Sequence, residues 1–160
     1  MPLSSIFRFL KNQDRTFHIQ LWKNLLRITD NTSQEIFEFL PLIAYSIDSK
    51  GDGKLLAIGS EAQVRSGENI TVINPMLHPR VIIDNFMSME LMFEYAFKNI
   101  TKSNKLLVAP KVIVEPMEKY EGGLTMVEHK MLYDIAINAG AREVIVKDGE
   151  KIIDKDSFHL

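Results

Sequence analysis

The sequence predicts an α/β domain with a mixed sheet and flanking helices, on three observations. Residues 111–147 read as strand, helix, strand. A second amphipathic stretch, Ser88–Ile100, has helical spacing. The first half of the chain is rich in short β-branched and aromatic runs separated by turn residues. A strand-helix-strand unit implies two parallel strands with the helix on one face of their sheet.

The unit at 111–147 is the clearest. Leu124, Val127, Met131, Leu132, Ile135, Ala136 and Ala139 recur at helical spacing. Thr125 is placed to cap the helix, with Glu128 three residues on as a capping box requires, and Gly140 follows as the C′ residue. Lys111–Glu115 and Val144–Val146 are the flanking apolar strands.

From the N-terminus, residues 1–16 form an amphipathic segment. Ser4 or Ser5 can cap a short helix in which Ile6, Phe7, Phe9 and Leu10 alternate with the basic Arg8 and Lys11. Such a helix either touches an anionic membrane surface or docks on the protein's own core. Residues 17–160 then read as one domain. Phe17–Leu21 and Asn24–Thr29 are strands, and Asp30–Ser33 is a turn. Glu35–Ile47 is a long β-prone run in which Pro41 marks an edge or a bulge. A loop at Ser49–Gly53, a strand at Leu55–Ile58 and a short helix from Gly59 come next, then extended pieces at Asn69–Asn74 and Arg80–Ile83. In the helix Ser88–Ile100, Ser88 is the expected N-cap. Met89, Met92, Phe93, Ala96, Phe97 and Ile100 form a stripe that is either core or an adaptable binding surface. Asp148-Gly149 between apolar runs predicts a hairpin, and a polar tail ends the sequence.

Composition narrows the function classes. At 160 residues, 46% hydrophobic and 25% charged, the chain suits one globular domain. A net charge of −2, with no basic patches interleaved with aromatics beyond the N-terminus, gives no support for nucleic-acid binding. The absence of cysteine excludes disulfides and thiolate metal sites and fits a cytoplasmic protein. No apolar run reaches the ~20 residues of a membrane span, and no signal peptide is expected. Asp48, Lys50, Asp52 and Gly53 imitate part of a calcium loop, but Lys50 stands at a ligand position and Gly59 where the bidentate carboxylate belongs. His18, His78, His129 and His159 are dispersed, so no metal is expected.

Several segments, in order, carry a resemblance. Leu56-Ala-Ile-Gly-Ser-Glu-Ala62, Asn69-Ile-Thr-Val-Ile-Asn-Pro75, Arg80-Val-Ile-Ile-Asp-Asn-Phe86, Lys111-Val-Ile-Val-Glu-Pro116, Leu124-Thr-Met-Val-Glu-His-Lys130 and Ala139-Gly-Ala-Arg-Glu-Val144 are similar to consecutive motifs of the bacterial rod-shape-determining MreB family. That family belongs to the actin/Hsp70/hexokinase superfamily. The resemblance covers almost the whole chain but only the first of the family's two lobes. It implies an actin-like, ribonuclease H-like half. In the family, ATP and a divalent metal lie between the lobes. The first phosphate loop matches Ile19-Gln-Leu-Trp-Lys23, where Gln20 replaces the metal-serving Asp and Leu21 follows it. Trp22 replaces the turn Gly, and Lys23 replaces Thr. Gln20 lacks the anionic oxygen a hard cation needs, and Trp22 adds bulk where a backbone must approach phosphate. Glu128 matches the residue that positions the attacking water, as a relict catalytic base or simply the partner of Thr125. Asp84 matches a retained Asp, and Lys147–Lys151 stands in place of the family's connecting motif.

The resemblance with these replacements implies a non-catalytic, pseudo-ATPase half-module without a cofactor. Its expected partner is a full-length MreB-type filament, the cell-shape machinery or a second copy, in the cytoplasm or at the inner face of the membrane. Two alternatives stand beside it. One is a small ATP-binding protein that completes its cleft by dimerising, with Lys23 and Glu128 facing the nucleotide. The other is a ligand-binding α/β domain.

Overall fold

The computed structural model describes residues 14–103, 105–118 and 122–158. The membrane-contact candidates Ile6 to Lys11, and His159, lie outside these described residues. Strands β1 (Thr16–Trp22) and β2 (Leu25–Asp30) form an antiparallel hairpin in which Trp22 faces Leu25 across a two-residue turn. In both strands apolar residues alternate inward, with Phe17, Ile19, Leu21, Leu26 and Ile28 buried. At the far end Asp30 is fully buried beside Arg15 and accepts the Thr32 N–H at 2.8 Å.

Pro41 divides the β-prone run more sharply than a bulge. Strand β3 (Ile36–Phe39) pairs with β2, whereas β4 (Ile43–Ile47) lies in a different sheet. Proline has no N–H to offer a ladder, and here the chain leaves one sheet for the other. Strand β5 (Gly53–Ile58), the single-turn helix α1 (Ser60–Gln63) and strand β6 (Ile70–Ile73) follow, giving a three-stranded sheet in the order β5-β4-β6. This second sheet is not legible in the run pattern. Residues 80–83 are irregular rather than a strand, yet Ile82 and Ile83 are buried.

Helix α2 (Phe86–Ile100) buries the whole predicted stripe from Met89 to Ile100. Its N-cap is Asn85, whose side chain accepts the Ser88 N–H at 3.0 Å. Ser88 is instead a buried first-turn residue hydrogen-bonded to the Tyr45 hydroxyl. Asn85 wins the cap because it stands three positions before Ser88, where its oxygen reaches that N–H, and the helix starts two residues earlier than expected.

The strand-helix-strand unit is present: β7 (Lys111–Pro116), helix α3 (Met126–Asn138) and β8 (Glu143–Asp148), with the two strands parallel. The capping box of Thr125 and Glu128 is complete. At the other end Gly140 has φ 116°. Its N–H bonds the Ile137 carbonyl and the Ala141 N–H bonds that of Ala136, both at 3.0 Å, which together make a Schellman motif. The inward row is His129, Leu132, Ile135 and Ala136. Val127, expected in it, is 76% exposed. It lies two residues from His129, a rotation of roughly 200° about the helix axis. Strand β9 (Lys151–Ile153) closes the Asp148-Gly149 hairpin, and the tail forms a 3-10 turn, Lys155–Phe158, whose Phe158 stacks edge-on against Tyr133.

The large sheet has the order β3-β2-β1-β7-β8-β9, with β1, β7 and β8 parallel and the other pairings antiparallel. Helices α2 and α3 cover the face carrying Phe17, Ile19, Val112, Val114, Val144 and Val146, and one hydrophobic cluster joins both sheets and both helices.

Candidate functional site

In open α/β sheets, ligands gather at the C-terminal edge of the parallel strands. Here that edge carries two of the sequence-singled features: the turn after β1, and the start of α3 after β7. Their residues are placed differently. Leu21 is buried core. Gln20 points to the opposite face, and its amide reaches the Met117 sulfur at 3.4 Å. The Trp22 ring carries the Arg27 guanidinium 5.1 Å from its centroid, and Arg27 is itself paired with Glu38 across the strands.

Lys23 is held from two distant places. Its backbone N–H donates to Glu118 Oε1 at 3.1 Å, and its ammonium lies 3.9 Å from Glu118 Oε2. Its carbonyl accepts from the Asn74 amide at 2.7 Å. A backbone N–H in this turn is therefore already occupied by a carboxylate. Neither Glu118 nor Asn74 carries a signal in the sequence, because each is brought here by a different strand end.

Glu128 is equally engaged. Oε2 accepts the Thr125 N–H at 2.8 Å and the Thr125 hydroxyl at 3.0 Å, while Oε1 accepts the Ile82 N–H at 3.2 Å. The stretch from Asn74 to Asp84 thus bridges the two places. Asn74 holds the turn, Ile82 holds Glu128, and between them the Asp84 N–H bonds the Pro75 carbonyl at 2.9 Å. On the buried side of α3, His129 Nε2 lies 3.4 Å from Asp148 Oδ2 without a hydrogen bond, and that oxygen accepts the Leu124 N–H at 3.0 Å. Asp148 therefore ties the β8–β9 hairpin to the entry of α3.

A third cluster has no counterpart in the sequence reading. On the sheet face away from the helices, Glu115 accepts from His18 Nε2 at 2.7 Å and from Lys147 at 2.8 Å. Burial alone raises the Glu115 pKa, but the hydrogen bonds from Lys147 and His18 outweigh it and hold the carboxyl below its usual range. Three neighbouring strands each contribute one residue, so only the register reveals the cluster. Asp48 is spent on its own loop, accepting the N–H groups of Lys50 and Asp52 at 2.8 and 2.9 Å. Among the described residues no group of acidic and histidine side chains is placed to hold a metal ion, and no helix is long and apolar enough to cross a membrane. An open groove of about 550 Å³ lies along α3 between Phe86, Met126, Val127, Met131 and Phe158. Its charged members, Lys130 and Asp134, are paired with each other.

Comparison with known proteins follows this geometry. The family described as MreB/Mbl protein matches residues 33–153. The cell shape-determining protein MreB of Haemophilus influenzae is 36% identical over 93 residues, which cover 56% of this chain and 25% of that protein. The MreB of Pasteurella multocida gives the same figures. Among solved structures, MreB5 of Spiroplasma citri bound to ADP aligns over 85% of this chain and 38% of its own, with TM-score 0.66 and 18% identity. A non-polymerising MamK mutant bound to AMPPNP aligns over 83% of this chain and 40% of its own, with TM-score 0.58 and 11% identity. The chain shares the fold of part of these actin-like proteins and spans about a quarter of the curated relatives' length.

Proposed function

The chain belongs to the MreB/Mbl protein family, and on that premise we propose that it is a non-catalytic, actin-like half-module acting by protein contact in the cell-shape cytoskeleton. Its partner is a full-length MreB-type filament, the cell-shape machinery or a second copy. The observation that carries this reading is the bond from the Lys23 N–H to Glu118. A phosphate approaching this turn meets a carboxylate that already accepts the Lys23 N–H, and its like charge opposes the phosphate. Trp22 and Gln20 add to this, one by bulk and the other by removing an anionic metal ligand. Glu128 is committed on both oxygens to Thr125 and Ile82, which supports a capping role over water activation.

Titration calorimetry with ATP and magnesium tests the reading. No heat of binding is expected at high protein concentration. Saturable heat overturns it and favours a nucleotide cleft completed by dimerisation. A pull-down that recovers an actin-like protein or shape-complex component supports the contact role, and one that recovers none, from a chain that sediments as a monomer, counts against it. The amphipathic segment belongs to the same proposal as a peripheral membrane contact. Flotation with anionic vesicles is expected to weaken when Phe7 and Phe9 are replaced by Glu, and unchanged flotation removes the membrane from the reading.

A further inference from the structure

Among the described residues four strands lie at sheet edges: β3 and β9 in the large sheet, β5 and β6 in the small one. An edge strand offers unpaired N–H and C=O groups to any strand that can align with it. Folded chains blunt such edges with charge, proline, bulges or brevity. Three edges here are blunted. Strand β3 carries Glu38, paired with Arg27. Strand β9 has only three residues and begins with Lys151. Strand β5 carries Lys54, has a register irregularity against β4 and packs against α1. Strand β6 is different: Ile70-Thr-Val-Ile73 has no charge and no proline, and pairs with β4 without a register shift. All four of its residues are β-branched and suit an extended strand.

The ladder shows which backbone groups face outward. The Ile47 N–H donates to the Asn69 carbonyl at 2.9 Å, continuing the register in which Ser46 faces Ile70. Hydrogen-bonded pairs alternate along an antiparallel ladder. Thr71 and Ile73 therefore turn their backbone groups towards β4, while Ile70 and Val72 turn theirs away. The Ile70 N–H bonds the Gly67 carbonyl at 3.2 Å. Among the described residues the Ile70 carbonyl and both backbone groups of Val72 remain for a further strand.

We propose that β6 is a self-association edge, pairing antiparallel with β6 of a second copy of this chain, with Val72 facing its counterpart on the two-fold axis. A two-fold contact places the same surface on both partners. An uncharged edge meets its own copy without the like-charge opposition that a charged one creates. The small sheets of the two copies then run as one across the axis. Because the strand is short, the contact is weak and is best read by trapping. This deepens the contact role proposed above by naming one partner, and it rests on that reading for its biological meaning. The nucleotide titration tests the first and the following experiment the second.

The chain contains no cysteine, so single-cysteine variants each report one position. Val72→Cys, Ile36→Cys on β3 and Ile152→Cys on β9 are treated with a short bismaleimide at high protein concentration. Val72 is 37% exposed against 61% and 65% for the other two, so accessibility alone ranks it last. The expected result is several-fold more covalent dimer from Val72→Cys than from either control. In the unmodified chain, exchange of the Val72 amide slows as protein concentration rises and that of Thr71 does not, and Val72→Lys loses this dependence. Dimer yields that follow exposure, or a Val72 amide indifferent to concentration, overturn the proposal.

Discussion

Helix α3 and the turn at Lys23–Asn24 stand at the same edge of the sheet, and they hold their shapes by different means. The helix is fixed locally: Thr125 and Glu128 close its start, and Gly140 with Ala141 closes its end, all within a few residues. The turn is fixed from afar, by Asn74 51 residues away and Glu118 95 residues away. A helix needs its caps whatever chemistry happens beside it, because four N–H groups at its start lack partners in the helix itself. A turn without glycine and without its own capping side chain takes its form from its neighbours. Glu128 is therefore engaged by its own helix start, whereas the turn takes its carboxylate from just beyond the end of β7.

The sharpest way to break this comparison is to empty the core beneath the helix. Leu132 is fully buried, and Leu132→Ala is expected to cost about 2–5 kcal/mol in urea denaturation. Trp22→Ala loses the Arg27 contact and is expected to cost about 1 kcal/mol or less beyond the apolar area it uncovers. Equal losses erase the distinction between a core-anchored element and a surface-held one.

Acid sharpens it next, since the hairpin and its neighbour β7 each carry a carboxylate whose pKa the fold depresses. Burial alone raises the Asp30 pKa, but the Thr32 N–H, the Arg15 guanidinium and the Ser33 hydroxyl together hold it below its usual range. Glu115 is depressed for the reasons given above. A carboxyl depressed in the folded state contributes stability above its unfolded pKa and loses it as pH falls through the folded value. Denaturation midpoints are therefore expected to drop on acidification through and below the ordinary carboxylate range, with a shallower drop in Glu115→Gln.

Smaller effects follow at the caps. Thr125→Ala removes the capping oxygen and is expected to cost about 1 kcal/mol. Glu128→Gln keeps an acceptor for Thr125 and is expected to cost less, by the same denaturation measurement. Smallest of all, Glu118→Gln removes the carboxylate charge from Lys23. Gln keeps an acceptor for the Lys23 N–H at an exposed site, so stability is expected to change by about 0.5 kcal/mol or less, and calorimetry with ATP and magnesium should still register no binding. Nucleotide heat in this variant makes Glu118 the sole obstacle and undoes the view that Gln20 and Trp22 matter.

The fold was legible where its determinants are short-range. The stripe of α2, the capping box, the C′ glycine, the β1–β2 strands and the Asp148-Gly149 hairpin each depend on residues a few positions apart, so periodicity and turn chemistry find them. In that hairpin the loop residues are Gly149 and Glu150, and the positive φ of Gly149 fits a type II′ turn. Ser88 was misread because two adequate caps stand three residues apart. Val127 leaves the stripe because it stands roughly 200° round the helix from His129, where it lines the open groove instead of the core. The site was less legible than the fold. Gln20, Trp22, Lys23 and Glu128 could be singled out by resemblance, but their partners Glu118, Asn74 and Ile82 could not.

By itself the sequence determined the α/β class, the parallel strand-helix-strand unit and the kinship with MreB, because all three rest on local pattern and ordered motifs. Tertiary structure alone decided that Pro41 parts two sheets, that Glu118 fills the β1–β2 turn, that His18, Glu115 and Lys147 meet, and that β6 ends a sheet uncharged. Each of these is a meeting of residues far apart in the chain. A side chain's partner across a sheet follows from register, and register is settled only when the whole core packs.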